Sequence, residues 1–193
     1  MLINFEGVDG VGKSTQINML KEIYKDAIIT KEPGGTELGL MIREYLINNA
    51  SKISQRAEIL LFLADRAEHY EKVLKPNYGN LILSDRSFVS GLSYAMANDD
   101  NLDIKTLIEL NKFALCSDFG DKFVFLKADE NLIRQRLFSR GQSDDIENRG
   151  IEYLMRVQGF MSIILADLKF DVLEVDASLN PEVIQEKIRK FIW

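Results

Sequence analysis

Short apolar runs alternate along this chain with longer stretches in which apolar residues recur every three or four positions. The runs Leu2–Phe5, Ala27–Thr30, Leu81–Ser84, Phe123–Leu126 and Val172–Val175 are too short for helices and read as strands. The helical period predicts helices over Lys13–Lys25, Leu38–Asn49, Ala57–Leu74, Phe88–Ala97, Ile104–Leu115, Glu130–Phe138, Glu152–Leu168 and Pro181–Ile192. In the first of these, Ile17, Leu20 and Tyr24 share one face. Pro33, Pro76 and Pro181 are the only prolines, and each falls where an element should start or stop. Strands separated by helices predict an α/β fold, a five-stranded parallel sheet flanked by helices on both faces. Ser139–Gly150 breaks the pattern, with two glycines, several charges and no apolar period. It suits an ordinary surface loop, or a mobile lid if the chain transfers phosphate.

Composition narrows the class. The 193 residues suit one domain spanning 1–193, and 46% apolar with 28% charged residues is ordinary for a globular protein. The net charge of −6 and the lack of a long basic patch argue against a nucleic-acid partner. An anionic substrate must then be held by locally placed arginines. Cys116 and His69 are the only residues of their types, which excludes an intrachain disulfide and a multi-histidine metal site. Leu2–Phe5 follows the first residue with no basic leader, and no run approaches the ~18 apolar residues that span a bilayer. The expectation is a cytoplasmic protein with no membrane partner.

The chemistry enters at Gly7-Val8-Asp9-Gly10-Val11-Gly12-Lys13-Ser14, which fits G-x-x-x-x-G-K-[ST] at every fixed position, with a strand before and a helix after. The glycines let the backbone turn its N–H groups onto phosphate oxygens, and the helix start adds its positive dipole end. Lys13 should reach the β- and γ-phosphates of ATP, and Ser14 should ligate Mg²⁺, with Thr15 next to it. The motif alone does not separate kinases from GTPases or ATPases. Asn111-Lys112-Phe113-Ala114 lacks the aspartate of a guanine-reading N-K-x-D. Asp118-Phe119-Gly120 copies the D-F-G of protein kinases without their catalytic loop, and reads as a chance loop.

Two further segments are chemically suggestive. Phe62 and Arg66 lie four residues apart on one helix face, so a ring and a guanidinium project together and can stack on a base and bond its edge. Plain core packing for Phe62 and a solvated surface for Arg66 are the alternatives. Asp85-Arg86 closes an apolar strand, at the strand end where ligands gather in open α/β sheets. It could equally be an ion pair capping the strand.

Together with the phosphate loop, Lys31-Glu32-Pro33-Gly34-Gly35-Thr36, Leu61-Phe62-Leu63-Ala64-Asp65-Arg66-Ala67-Glu68 and Ser84-Asp85-Arg86-Ser87 resemble the thymidylate kinases in order and spacing. The resemblance runs from Leu2 to the last helix. It implies a P-loop NTPase fold of the nucleoside monophosphate kinase type, phosphorylation of dTMP by Mg-ATP, and a homodimer, although no exposed stripe for one is legible in the sequence. It implies that Asp85 lies near Mg²⁺, that Arg86 and Arg43 hold the acceptor phosphate, and that Asp9 sits near the sugar 3′-hydroxyl. Phe62 would stack on thymine, Arg66 would contact its carbonyl, and Tyr94 would crowd the sugar 2′ position. Glu32, Pro33, Ser90 and Gly91 would line the same pocket. Gly10 places the chain with relatives whose catalytic arginine lies in the lid. Relatives there read D-R-I-E or D-K-I-E, whereas this chain reads Asp144-Asp145-Ile146-Glu147. The arginine therefore cannot be carried over to Asp145. Arg140 is the first choice for the role and Arg136 the second, with Arg134 and Arg149 nearby. A kinase for another nucleoside monophosphate and a non-catalytic ATP-binding protein remain the alternatives.

Overall fold

The computed structural model describes residues 1–49, 52–99, 101–140 and 150–193, without the side chains of residues 139 and 140. Five strands form one parallel sheet: β1 (Leu2–Glu6), β2 (Ile28–Lys31), β3 (Ile82–Asp85), β4 (Lys122–Lys127) and β5 (Asp171–Asp176), in the order β2-β3-β1-β4-β5. The helices are α1 (Lys13–Ile23), α2 (Glu37–Asn49), α3 (Gln55–His69), α4 (Phe88–Asn98), α5 (Ile104–Ala114), α6 (Glu130–Arg140), α7 (Ile151–Asp167) and α8 (Pro181–Ile192). Every predicted element is present, with ends shifted by at most two residues in all but α3.

All five residues of β1 are buried, as a central strand covered on both faces requires. One helical group packs α1 against α8, and another gathers α3, α4, α5 and α7. In α8, Ile184, Ile188 and Ile192 form the buried stripe, and Asn180 caps the start ahead of Pro181. Phe88, Phe119, Phe123 and Phe170 meet in one aromatic cluster, with ring centroids 4.5 to 6.2 Å apart. Phe119 of the D-F-G look-alike is thus a partly buried residue packed against the core, and Asp118 Oδ1 accepts the Gly120 N–H within its own turn.

The helix expected over Ala57–Leu74 is not continuous. α3 ends at His69, a single widened turn covers Tyr70–Leu74, and a 3₁₀ turn covers Lys75–Asn77. The Lys75 N–H reaches back to the Tyr70 carbonyl, one residue further than in an α-helix. The extra residue turns both Tyr70 and Leu74 into the core, and Pro76, which lacks an N–H, then ends the run.

The structure also presents an apolar surface that periodicity alone did not isolate. Leu38, Met41 and Tyr45 of α2 and Leu60 of α3 are exposed at 41%, 59%, 49% and 59%. They lie on two helices that pack against each other.

Candidate active site

Strand order decides where the chemistry gathers. β1 and β3 are neighbours in register, with Phe5 opposite Asp85. The loop after β1 and the Asp85-Arg86 pair after β3 therefore emerge side by side, and the Arg86 N–H bonds the Phe5 carbonyl at 2.9 Å. This is the crevice at strand carboxyl ends where open α/β sheets bind ligands.

The loop Gly7–Gly12 turns tightly into α1. Gly7 has φ +139°, and a Cβ there would stand 2.5 Å from the Leu126 carbonyl oxygen, so only glycine fits. Val8 and Val11 are buried beneath the loop and leave its backbone to face outward. Lys13 Nζ donates to the Gly7 and Val8 carbonyls at 2.9 and 3.1 Å. Burial and the nearby Arg86 charge push the Lys13 ammonium down to about 8, against the pull of Asp9, Asp85 and Glu6. A polyphosphate beside these two cations would relieve that cost. The Ser14 hydroxyl donates to Asp85 Oδ2 at 2.9 Å, so a hydroxyl and a carboxylate converge beside Lys13 and Thr15 in one open cleft. Hard oxygen donors of this kind fit Mg²⁺.

Arg86 is the hub of the second half. Its Nη2 donates to Asp9 Oδ1 at 2.7 Å, and its Nη1 donates to the Gly7 carbonyl and Ser90 Oγ, each at 3.1 Å. It holds φ at 77°, in the left-handed region that a non-glycine residue seldom occupies. Burial alone would raise the Asp9 carboxyl, but the Arg86 and Lys13 charges hold it well below the usual carboxylate range. Tyr94 donates to Asp9 Oδ2 at 3.3 Å, and its ring lies 5.6 Å from the Arg86 guanidinium carbon. Beneath them the fully buried Glu6 accepts from Ser87 Oγ at 2.6 Å and Ser90 Oγ at 2.5 Å. Burial raises its carboxyl in spite of those bonds.

A cavity opens beside this hub. Its walls include Phe62, Arg66, Tyr94, Ser90 and Gly91, with Glu32, Pro33 and Arg43 on the turn and helix after β2. Arg43 donates to the Pro33 carbonyl at 3.1 Å. Gly91 leaves room for the Arg66 guanidinium, since a Cβ there would stand 3.1 Å from Nη2. Arg66 is not a solvated surface residue. It is 3% exposed and donates from Nε to Glu32 Oε2 at 2.7 Å and from Nη1 to Asn111 Oδ1 at 2.7 Å. The phosphate cleft and this cavity share Asp9, Glu32, Arg43 and Arg86.

Burial would raise the Glu32 carboxyl, but the Arg66 charge and the bonds from His69 and Arg66 hold it down at about 2. Its unfolded value is near 4.5. The pair thus contributes stability above pH ~4.5 that is lost as pH falls toward ~2, on the order of 3 kcal/mol in full. The Tm of Glu32→Gln, measured from pH ~5 to ~2, should be lower at the start and fall less steeply than that of the parent chain. Parallel curves would assign the acid sensitivity to other carboxylates.

Arg136 is brought to the loop as well. Nη1 donates to the Gly10 and Val11 carbonyls at 3.2 and 2.9 Å, and Nη2 to the Ala177 carbonyl at 2.8 Å. It braces the phosphate loop against the turn after β5. The Arg140 side chain, Asp144, Asp145, Glu147, Arg149 and most of the expected lid lie outside the described residues. Arg134 pairs with Glu130 on the exposed face of α6.

Sequence reasoning missed His69, Asn111 and Tyr153. His69 was used only to exclude a metal site, although Asp65, Arg66 and His69 follow at helical spacing. Asn111 stands out in the sequence only within a failed guanine motif, and Tyr153 of α7 lines the cavity beside Arg86.

A family model described as thymidylate kinase matches residues 5–188. The chain belongs to the thymidylate kinase family. It is 79% identical to a thymidylate kinase of Campylobacter fetus subsp. fetus (strain 82-40) over 192 residues, covering all of both chains. Identity to a thymidylate kinase of Campylobacter concisus (strain 13826) is 57%, covering all of this chain and 98% of the relative. For one of Campylobacter jejuni subsp. jejuni serotype O:2 (strain ATCC 700819 / NCTC 11168) it is 51%, covering all of both. The parallel five-stranded sheet with its phosphate loop after β1 is the P-loop nucleoside monophosphate kinase fold that the family implies.

Proposed function

We propose that this chain transfers the γ-phosphoryl group of ATP to dTMP, giving ADP and dTDP. The observation that carries the reading is the meeting of the phosphate cleft and the apolar, arginine-walled cavity at Asp9 and Arg86. A donor in the first and an acceptor in the second would bring their phosphates together there. Catalysis is then positioning and charge neutralisation.

The loop N–H groups and Lys13 hold the β- and γ-phosphates. Ser14 and Asp85 would hold Mg²⁺, whose chemistry is to neutralise the phosphate oxygens. Arg86, with Arg43, orients the acceptor phosphate. Asp9 faces the sugar, Phe62 stacks on the base and Arg66 donates to its edge. Arg140 is the proposed lid arginine, acting on charge that develops in transfer, since Arg136 is engaged with loop carbonyls. We read the chain as one domain, 1–193, with its lid at 139–150. No described helix is long and apolar enough to cross a membrane. We further propose a cytoplasmic enzyme that acts on small nucleotides and not on nucleic acid. The exposed apolar residues on α2 and α3 support a homodimer.

The test is ADP release with a panel of nucleoside monophosphates, for the parent chain and Tyr94→Ala. The parent should favour dTMP over its ribo counterpart, because a 2′-hydroxyl against the Tyr94 ring is desolvated without a partner. That costs roughly 1–3 kcal/mol, about tenfold to a hundredfold in kcat/KM. Tyr94→Ala should narrow the ratio. An unchanged ratio would sink this placement of the sugar. A better acceptor other than dTMP, or no turnover at all, would sink the proposed function.

A further inference from the structure

The acceptor cavity has a second layer behind it. His69 is the last residue of α3 and is fully buried. Its Nδ1 lies 2.9 Å from Glu32 Oε1, and its Nε2 lies 2.6 Å from Thr30 Oγ1. The other oxygen of Glu32 receives Arg66 Nε. Arg66 in turn meets Asn111 Oδ1 and, at 3.4 Å, the Ser87 carbonyl. Thr30, His69, Glu32, Arg66 and Asn111 thus form one chain of bonds from the edge strand β2 to α5.

Donor and acceptor roles follow from the chemistry. An ionised carboxylate only accepts, so Nδ1 carries a proton toward Glu32. In the neutral ring Nε2 then accepts the Thr30 hydroxyl. Every described partner of Arg66 is an acceptor, so the guanidinium has only N–H groups to offer to the cavity it lines. Thymine meets such a donor with a carbonyl at position 4, whereas cytosine brings an amino group there. The discrimination depends on how firmly the guanidinium is held. A glutamate held only by Arg66 can rotate about its own torsions and carry the guanidinium with it. Held at Oε1, it cannot.

We propose that His69 is a positioning residue for recognition of the acceptor base: its Nδ1–H fixes Glu32, and Glu32 fixes Arg66 in the wall of the base pocket. This rests on the dTMP reading above and adds to it the group that sets base selectivity from behind the pocket.

The side-chain amide nitrogen of asparagine can stand near the place of Nδ1, and that of glutamine near Nε2. His69→Asn therefore keeps the bond to Glu32, and His69→Gln loses it. The experiment compares kcat/KM for dTMP and dCMP, KM for ATP and Tm in the parent and both variants. His69→Gln should raise KM for dTMP roughly tenfold and lower the dTMP-to-dCMP ratio by a similar factor, with KM for ATP unchanged. His69→Asn should keep most of the ratio. Equal losses on both acceptors, or indistinguishable variants, would overturn the proposal and leave His69 a packing residue. Because His69 is the only histidine, ¹⁵N NMR of the parent protein reads its tautomer without any substitution. A protected Nδ1–H is expected, and a proton on Nε2 alone would overturn the assignment even if neither variant folds. A parent chain that phosphorylates dCMP but not dTMP would instead overturn the dTMP reading, and this inference with it.

Discussion

Lys13→Ala is expected to remove phosphoryl transfer while leaving the fold intact. Lys13 is the single lysine in the phosphate loop, buried at 6% exposure and bonded only to the Gly7 and Val8 carbonyls among the described residues. Those carbonyls belong to a loop fixed by other means, with Val8 and Val11 packed below it and Arg136 bonded to Gly10 and Val11. Losing the ammonium should therefore cost about 1–3 kcal/mol of stability at most. The effect on rate is larger. In the proposed reading the cation faces the phosphate oxygens where charge shifts during transfer, and removing one such group costs roughly 10²–10³-fold in kcat. Single-turnover transfer to dTMP measures it, with Tm and far-UV circular dichroism as controls. Transfer at near-parental rate by a folded Lys13→Ala protein would sink the assignment of this loop to the triphosphate.

Much of the fold was legible because its signals are local. Each strand is a short apolar run and each helix repeats every three to four residues, and both follow from burial alone. Strand order was not legible, because it depends on which crossovers pack. It matters here, since placing β3 beside β1 brings Asp85 and Arg86 to the phosphate loop. The break after His69 was hidden because a widened turn leaves the apolar period nearly unchanged in sequence. The site divided in the same way. The phosphate loop is contiguous and could be read outright, whereas His69, Asn111 and Tyr153 reach the cavity from separate helices and carry no motif. Arg66 was found for its face but not for its partners. Nothing in a sequence says that Glu32, 34 residues away, will accept its Nε–H. The apolar residues of α2 and α3 escaped notice because each helix also carries a buried face, and only packing separates the two.

Arg86→Ala should be the most damaging change on the acceptor side, and its analysis requires separating two roles. Arg86 neutralises Asp9 at 2.7 Å, and in the proposed reading it also holds the acceptor phosphate at the point where the two clefts meet. Arg86 and Asp9 are partly buried, at 15% and 29% exposed, and truncating one partner of such a pair costs up to the roughly 2–5 kcal/mol of a fully buried one, so kcat/KM for dTMP should fall by as much as roughly 30- to 3,000-fold. Part of any loss could come from leaving the Asp9 carboxylate uncompensated. The Asp9→Asn/Arg86→Ala double variant removes that charge. It should recover stability relative to Arg86→Ala while kcat/KM stays low, because Arg43 alone is left for the acceptor phosphate. Arg86→Lys keeps the charge but not the planar fork, and should fall between parent and alanine variant. ATP affinity should change less than dTMP affinity in all three, since Lys13 and the loop N–H groups remain. If the double variant regains activity along with stability, Arg86 serves only to neutralise Asp9, and the acceptor phosphate must be held by another group, for which Arg43, a cation lining both clefts, is the candidate.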